Sequence, residues 1–219
     1  MHYGIDITRK NRVLFQGFLD KFSLEELNKV PKGFRNNIIW NIAHCIVTQQ
    51  LLIYKLSGLE GVLSDKMISE YRKGTKTERN LSQSEVDEIR NLLFIPLDQT
   101  EVDYNARAFK NYKEYTVSTG STLISVDEAL VFNNFHEGIH LGYILALFFE
   151  LKSRIFRDPK FQINAQAIAG ILDNVGSSKL KYKNPRIMIQ LINNPMMPVT
   201  TKIKSSVDVF LLLRFANAQ

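Results

Sequence analysis

The residues in this sequence most able to do chemistry are two histidines and a glutamate in HEGIH, residues 136–140. His136 and His140 stand four positions apart, so on a helix they lie on one face and can bind one metal ion. The five letters match H-E-x-x-H, the zinc-protease signature, in which the glutamate, here Glu137, is the general base. A metalloprotease is therefore the first hypothesis to weigh.

A metalloprotease of this kind needs a third ligand downstream, and the sequence offers none with a supporting pattern. The extended signature requires glycine and histidine at the positions of Tyr143 and Ala146. The last glutamate of the chain, Glu150, lies in the same predicted helix. An aspartate ligand, Asp158 or Asp173, stays open without support from spacing. The sequence therefore disfavours a protease.

Polar residues around the histidine pair are candidates for lining a metal site. Glu137 lies about 100° around the helix from His136, where it would be a solvated group or a hydrogen-bond partner of a ligand. Asn133 shares the histidine face one turn earlier, and Tyr143 lies one turn later. Each of these could equally be an ordinary capping or rim residue, so they are predicted as pocket residues only.

A third histidine is available upstream of the motif. His44 lies in the apolar segment NNIIWNIAHCIVTQQ (36–50), one turn after Trp40 and one turn before Thr48. Three histidines with open coordination positions are typical of a catalytic metal, and imidazole suits Zn, Ni, Fe or Cu. The alternative is a set of hydrogen-bonded core histidines without metal. The adjacent Cys45 points about 100° away from His44 and is predicted to be a buried apolar residue.

Helices must position these residues, because apolar side chains recur at three- and four-residue spacing in the segments 7–22, 37–57, 84–107 and 126–151. Short helices are expected near 24–30 and 65–72. Pro96 should kink or split the third long segment. Capping boxes are predicted at Ser23 with Glu26, Ser82 with Glu85, and Ser125 with Glu128. This pattern predicts an all-α four-helix bundle, whose long connections at 58–82 and 108–125 favour a crossover topology.

Composition narrows the class of protein. The 219 residues are 45% hydrophobic and 23% charged, which is ordinary for a globular domain. No stretch approaches the roughly twenty apolar residues of a membrane-spanning helix. The single cysteine, Cys45, cannot form an internal disulfide, so the sequence predicts a reducing, cytoplasmic location without a membrane partner.

The net charge of +6 is unevenly distributed along the chain. Residues 153–219 carry ten Lys/Arg against three Asp/Glu, whereas residues 1–152 carry eighteen against nineteen. The body therefore lacks the charge expected of a nucleic-acid partner. We predict a domain at 1–152 and a basic extension at 153–219. Three interpretations of the extension are open. It is a segment packed on the bundle or a poorly ordered fusion or frame-shifted segment, and both of these rank above the third interpretation, an appended subdomain.

The order of these motifs resembles a known family. W-x-x-x-H, Trp40 to His44, is followed about ninety residues later by H-x-x-x-H, His136 to His140, and then by Gly142. This pattern is similar to the DinB-like superfamily, which includes YfiT-type metal-dependent hydrolases and the bacillithiol and mycothiol S-transferases. Over residues 1–152 the resemblance implies an up-down-down-up bundle. It also implies that His44, His136 and His140 hold a divalent metal, for which Zn and Ni are the leading candidates.

The resemblance also implies a function. A low-molecular-weight thiol bound at such a metal would lose its proton and attack a small electrophilic substrate. We therefore expect a metal-dependent thiol S-transferase, with a metal-dependent hydrolase as the alternative enzyme. The non-enzymatic alternative is a stress-related protein that binds a metal or a small molecule. The resemblance further implies a homodimer.

Overall fold

The computed structural model describes residues 2–157, and the side chains of 2–151. Seven α-helices account for most of the described chain: α1 (Tyr3–Lys21), α2 (Leu24–Asn28), α3 (Ile38–Ile53), α4 (Asp65–Tyr71), α5 (Gln83–Asn91), α6 (Ile95–Asn105) and α7 (Val126–Arg157). A 3₁₀ turn (Lys55–Ser57) follows α3, and an antiparallel hairpin joins β1 (Tyr115–Thr116) to β2 (Thr122–Leu123). The predicted all-α class is confirmed. The predictions for 153–219 lie outside the described residues, apart from the last residues of α7.

Pro96 decides the shape of the third long segment. The expected helix 84–107 is two helices, α5 and α6, separated by a turn at residues 92–94. Pro96 occupies the first turn of α6. Proline is tolerated there because a first-turn N–H has no helical partner, whereas further inside a helix it removes a hydrogen bond. The split that Pro96 predicted is therefore confirmed.

Short-range hydrogen bonds begin the helices largely as predicted. Complete capping boxes start α2 and α5, at Ser23 with Glu26 and at Ser82 with Glu85. The third predicted box is only half formed, because the Glu128 carboxylate accepts the N–H of Ile124 at 2.7 Å rather than that of Ser125. Asn37 caps α3 by accepting the Trp40 N–H at 2.8 Å. The first residue of α3, the helix that carries His44, is therefore determined by a hydrogen bond between residues three positions apart.

α3 is the central helix of the domain, since fourteen of its sixteen residues are buried. A helix that is buried on nearly all sides must be surrounded by other elements. Polar contacts fix some of its neighbours: Gln49 donates to Thr100 of α6 at 2.8 Å, and Asn41 lies against α7. None of the described helices has a stretch long and apolar enough to cross a bilayer.

A second apolar cluster packs the hairpin and α6 against the beginnings of α1 and α7. Its buried members include Ile5, Leu97, Val117, Leu123 and Leu130. The predicted connection 108–125 contains two short strands, in which Tyr115 pairs with Leu123. The cluster thus packs the first turn of α7, the helix that carries two of the three histidines, against the rest of the domain.

Candidate metal centre

Three histidines converge from two helices. His44 comes from α3, and His136 and His140 come from successive turns of α7. One ring nitrogen from each lies within 4.8 Å of the others. The ring centroids are 5.1 Å apart for His44 and His136, 4.8 Å for His44 and His140, and 4.6 Å for His136 and His140. The predicted ligand set therefore meets at one point of the fold.

His44 is held in place by its surroundings. Its Nδ1 donates to the backbone carbonyl of Tyr71, at the end of α4, with a distance of 2.6 Å. This hydrogen bond leaves the lone pair on Nε2, where the Thr48 hydroxyl lies 3.4 Å away. The Trp40 indole stacks on the imidazole at 4.7 Å, with the two planes 10° apart. Trp40 and Thr48 thus contact His44, whereas Tyr71 acts through its backbone carbonyl and has no sequence signal.

His140 is oriented by a side chain of α3. Its Nδ1 lies 2.8 Å from the Asn41 carbonyl oxygen. The amide of Asn41 is itself oriented, because its nitrogen donates to the Asn37 carbonyl at 2.7 Å. Nδ1 therefore carries the proton and Nε2 the lone pair. Asn41 was not among the predicted site residues, although it precedes His44 by three residues and so lies near it on α3.

His136 differs from the other two histidines. Its Nδ1 is buried and has no hydrogen-bond partner among the described residues. Phe132, one turn earlier on α7, stacks on the ring with a centroid distance of 6.3 Å. A buried nitrogen without a partner is costly unless something else satisfies it, and a metal ion bound by this imidazole is one such partner.

All three imidazoles are neutral at pH 7. Burial lowers the pKa of His136 to about 2, and the neighbouring charges of His140, His44 and Arg12 act in the same direction. Burial and the proximity of His44 lower the pKa of His140 to about 4. Burial also lowers the pKa of His44, against an opposing hydrogen bond to Tyr71. Because metal ligation requires the unprotonated ring, the cluster is ready to bind a cation.

Glu137 belongs to a buried ion pair. It is fully buried, and its Oε1 accepts from the Arg12 guanidinium of α1 at 2.7 Å and from the Asn133 amide at 3.1 Å. Burial raises the pKa of Glu137, and the Arg12 guanidinium opposes that rise. The solvated alternative for Glu137 is therefore wrong, because the carboxylate belongs to an internal ion pair. Arg12 had no signal in the sequence, since arginine in an amphipathic helix is usually exposed.

Two further predicted pocket residues are engaged with other partners. Asn133 is buried and also donates to the Thr8 hydroxyl at 3.3 Å, so it belongs to the ion-pair side of α7. The Tyr143 hydroxyl accepts the backbone N–H of Arg35 at 3.2 Å, and its ring meets Phe34 edge-on at 5.4 Å. Both side chains fix the position of α7 through these contacts.

The residues present fit a divalent transition metal. The three donors are neutral imidazole nitrogens, and two of them are oriented by hydrogen bonds at the opposite nitrogen, the arrangement common to metal-binding histidines. Imidazole donors suit Zn, Ni, Cu and Fe rather than the hard cations Mg and Ca. The cluster is thus a site that can hold a metal ion.

A comparison with curated proteins found no match to this chain. The profile of the DinB superfamily matches residues 7–144, which run from the first turns of α1 through all three histidines. The match covers more than half of the chain and includes α3 and the part of α7 on which the site is built. The chain belongs to the DinB superfamily.

Proposed function

We propose that this protein is a metal-dependent thiol S-transferase that joins a low-molecular-weight thiol to a small electrophile. The observation that carries the proposal is the convergence of His44, His136 and His140, all neutral at pH 7. A divalent metal held there would keep its full charge, and when bound it lowers the pKa of a coordinating thiol or water.

The partial exposure of two ligands favours a catalytic site over a purely structural one. His44 is buried, whereas His136 and His140 are each partly exposed. A structural metal is usually enclosed by four protein ligands, and a catalytic one keeps a position for an exchangeable molecule. Three protein ligands with an exposed side leave such a position for a thiol.

The environment of Glu137 favours thiol transfer over hydrolysis. In the H-E-x-x-H hydrolases the glutamate takes a proton from water beside the metal. Here the buried Glu137 carboxylate accepts hydrogen bonds from Arg12 at 2.7 Å and from Asn133 at 3.1 Å. A thiol needs no such base, because its ordinary pKa of about 8.5 is far below that of water and metal coordination lowers it further.

The remaining residues serve to hold and orient the site. The carbonyl of Tyr71 and the amide oxygen of Asn41 keep a proton on Nδ1 of His44 and His140, respectively, and so would leave Nε2 free to bind a metal. Stacking by Trp40 keeps water away from one face of His44. In the transfer, a sulfur–carbon bond forms, the leaving group departs with its electron pair, and the thiol proton passes to solvent. The proposal places the protein in a reducing compartment such as the cytoplasm, where small thiols stay reduced.

Metal content tests the first half of the proposal. Purified wild-type protein is compared by ICP-MS with His44→Ala and His140→Ala, and with His2→Ala as a histidine control outside the site. We expect about one transition metal per chain in wild type and in His2→Ala, and a loss of it in the two site variants. If the wild-type protein takes up neither Zn nor Ni, the three histidines are core residues of the bundle and the proposal is refuted.

Activity tests the second half. Bacillithiol and mycothiol are each incubated with a haloalkyl bimane and metal-loaded protein, and the fluorescent thioether is measured. We expect thioether formation above the uncatalysed rate in wild type and His2→Ala, and its loss in His140→Ala. Hydrolysis of ester substrates without thioether formation would support the hydrolase instead. A loaded protein without either activity would be a non-catalytic metal-binding protein.

A further inference from the structure

An open cleft lies between the hairpin and the beginnings of α1 and α7. Its volume is about 410 Å³, within the range of about 300–1,000 Å³ that small-molecule sites occupy. The residues that line it come from the start of α1, from β2 and the residue before it, and from the first two turns of α7: His2, Ser121, Thr122, Leu123, Asp127, Glu128, Val131 and Phe132. We call it the hairpin cleft. It contains none of the three histidines of the metal centre, so it is a second place where a ligand can bind.

Three of the residues that line the hairpin cleft are apolar. Leu123 is buried and belongs to the second apolar cluster, against which Phe132 packs. Val131 stands at the edge of the cleft and is 64% exposed. Pairing of Leu123 with Tyr115 holds this wall in place. The apolar wall is therefore part of the folded domain, and a ligand with an apolar body would gain free energy by leaving water to cover it.

The polar part of the hairpin cleft is acidic. Asp127 and Glu128 each contribute a carboxylate, and no lysine or arginine is among the described residues that line the cleft. His2 adds no charge, because its Nδ1 accepts the backbone N–H of Gly4 at 3.0 Å and so carries no proton. The N-termini of α1 and α7 oppose the carboxylates with about half a positive charge each. Two full negative charges outweigh these two partial positive ones, so the cleft favours a cation.

Both carboxylates can accept further hydrogen bonds. Oδ1 of Asp127 accepts from the Tyr104 hydroxyl at 2.6 Å and lies 3.6 Å from Nε2 of His2. Oε2 of Glu128 accepts the N–H of Ile124 at 2.7 Å. An ionised carboxylate has about four acceptor positions on its two oxygens, so these contacts leave positions open. The N–H groups of an ammonium ion are donors of the matching charge.

From these observations we propose that the hairpin cleft binds a small organic cation, an amine with an apolar body. Its ammonium group pairs with Asp127 and Glu128, and its hydrocarbon part covers Leu123, Val131 and Phe132. A metal ion fits less well, because hard cations take about six oxygen ligands and gain nothing from an apolar wall. A neutral apolar ligand would take the carboxylates out of water without pairing them. The binding is independent of the proposed S-transferase reaction, since the cleft contains no metal ligand.

NMR titrations of the ¹⁵N-labelled full chain test the preference for a cation. Three probes share one phenyl group: 2-phenylethylammonium, 2-phenylethanol and 3-phenylpropanoate. The amine should shift the amide signals of Leu123 and Val131 until they saturate, with a Kd at least about fivefold lower than that of either other probe. Equal binding of the three would mean apolar adsorption only, and tighter binding of the carboxylate would mean an anion site. Either result, or no saturable binding of the amine, overturns the proposal.

A matched pair of double variants tests the two carboxylates. Asp127→Asn with Glu128→Gln removes both charges but keeps side-chain oxygens that accept hydrogen bonds. Asp87→Asn with Glu88→Gln removes the same two charges from α5, where both residues are exposed. The Kd of 2-phenylethylammonium should rise roughly tenfold in the first variant and stay within about twofold of wild type in the second. An equal rise in both variants would be a long-range charge effect and would overturn the proposal.

Contacts between probe and protein give a readout that does not depend on affinity. With bound 2-phenylethylammonium, a filtered NOE experiment should connect the phenyl protons to the methyl groups of Leu123 and Val131. Val102 on α6 is 61% exposed and serves as an apolar surface residue outside the cleft. Saturable binding without NOEs to Leu123 and Val131, or with equal NOEs to Val102, would place the probe elsewhere and would also overturn the proposal.

Discussion

The buried ion pair between Arg12 and Glu137 links α1 to α7 through a residue adjacent in sequence to His136, and its removal tests the role of Glu137. We consider Glu137→Leu, Arg12→Met, and the two together. Leucine and methionine approximate the volume of the replaced side chains without their charge. The single variants each leave one charge in the interior, whereas the double variant leaves none.

The structure sets the magnitude of the effect. Arg12 is 1% exposed and Glu137 is 0% exposed, and their nearest atoms are 2.7 Å apart. Neither charge can reach water when the other is removed. Removing one partner of such a pair costs about 3–5 kcal/mol of folding free energy, whereas replacing both by apolar residues is about neutral. We therefore expect strong destabilisation in each single variant and recovery in the double variant.

Urea unfolding followed by circular dichroism measures these free energies. It is carried out with a chelator, so that a bound metal does not add to the stability of the folded state. The double-mutant cycle should give a coupling energy of several kcal/mol between positions 12 and 137. Metal content and thioether formation in the double variant should remain, because the proposed chemistry does not use Glu137.

Two outcomes would contradict this reasoning. If each single variant lost less than about 1 kcal/mol, the pair would not be buried as described. If the double variant were stable but bound metal without any activity, Glu137 would take part in the reaction. In that case, the general-base role of H-E-x-x-H would return, and with it the hydrolase.

Three further predictions follow from the site and its supporting helices. The unfolded chain binds more protons than the metal-free fold between the ordinary histidine pKa near 6.5 and the lowered pKa of about 4 at His140. In urea titrations, His140 alone should lower the free energy of unfolding by about 3 kcal/mol as the pH drops from 7 to 4, and His136, whose pKa is lowered to about 2, should add to that fall. Asn41→Leu removes the acceptor at His140 Nδ1 and should weaken metal binding about 10–100-fold in competition with a chelating dye, whereas Asn41→Asp should retain it. Gly17→Ala should raise the free energy of unfolding by roughly 0.5–1 kcal/mol, because Gly17 lies inside α1 with no atom near its added Cβ; an unchanged melting temperature would refute this.

Much of the helical architecture could be predicted from local signals. Capping serines, Asn37 and Pro96 act within a few residues of the chain, so their hydrogen bonds and steric effects are readable in the sequence. The three histidines were also recognised, since their spacing and order match a family pattern. The direction of the helices in the bundle and the order of residues 153–219 stay predictions.

The sequence by itself determined that this chain is helical, and the spacing of its histidines predicted a shared metal site. Only the tertiary structure decided what surrounds them. The Tyr71 carbonyl and the Asn41 amide meet His44 and His140 across helix contacts, and the pairing of Arg12 with Glu137 joins residues 125 positions apart. Such contacts depend on which faces of different helices pack together. A helical period shows which residues share a face, but a long-range hydrogen bond is set by packing between helices.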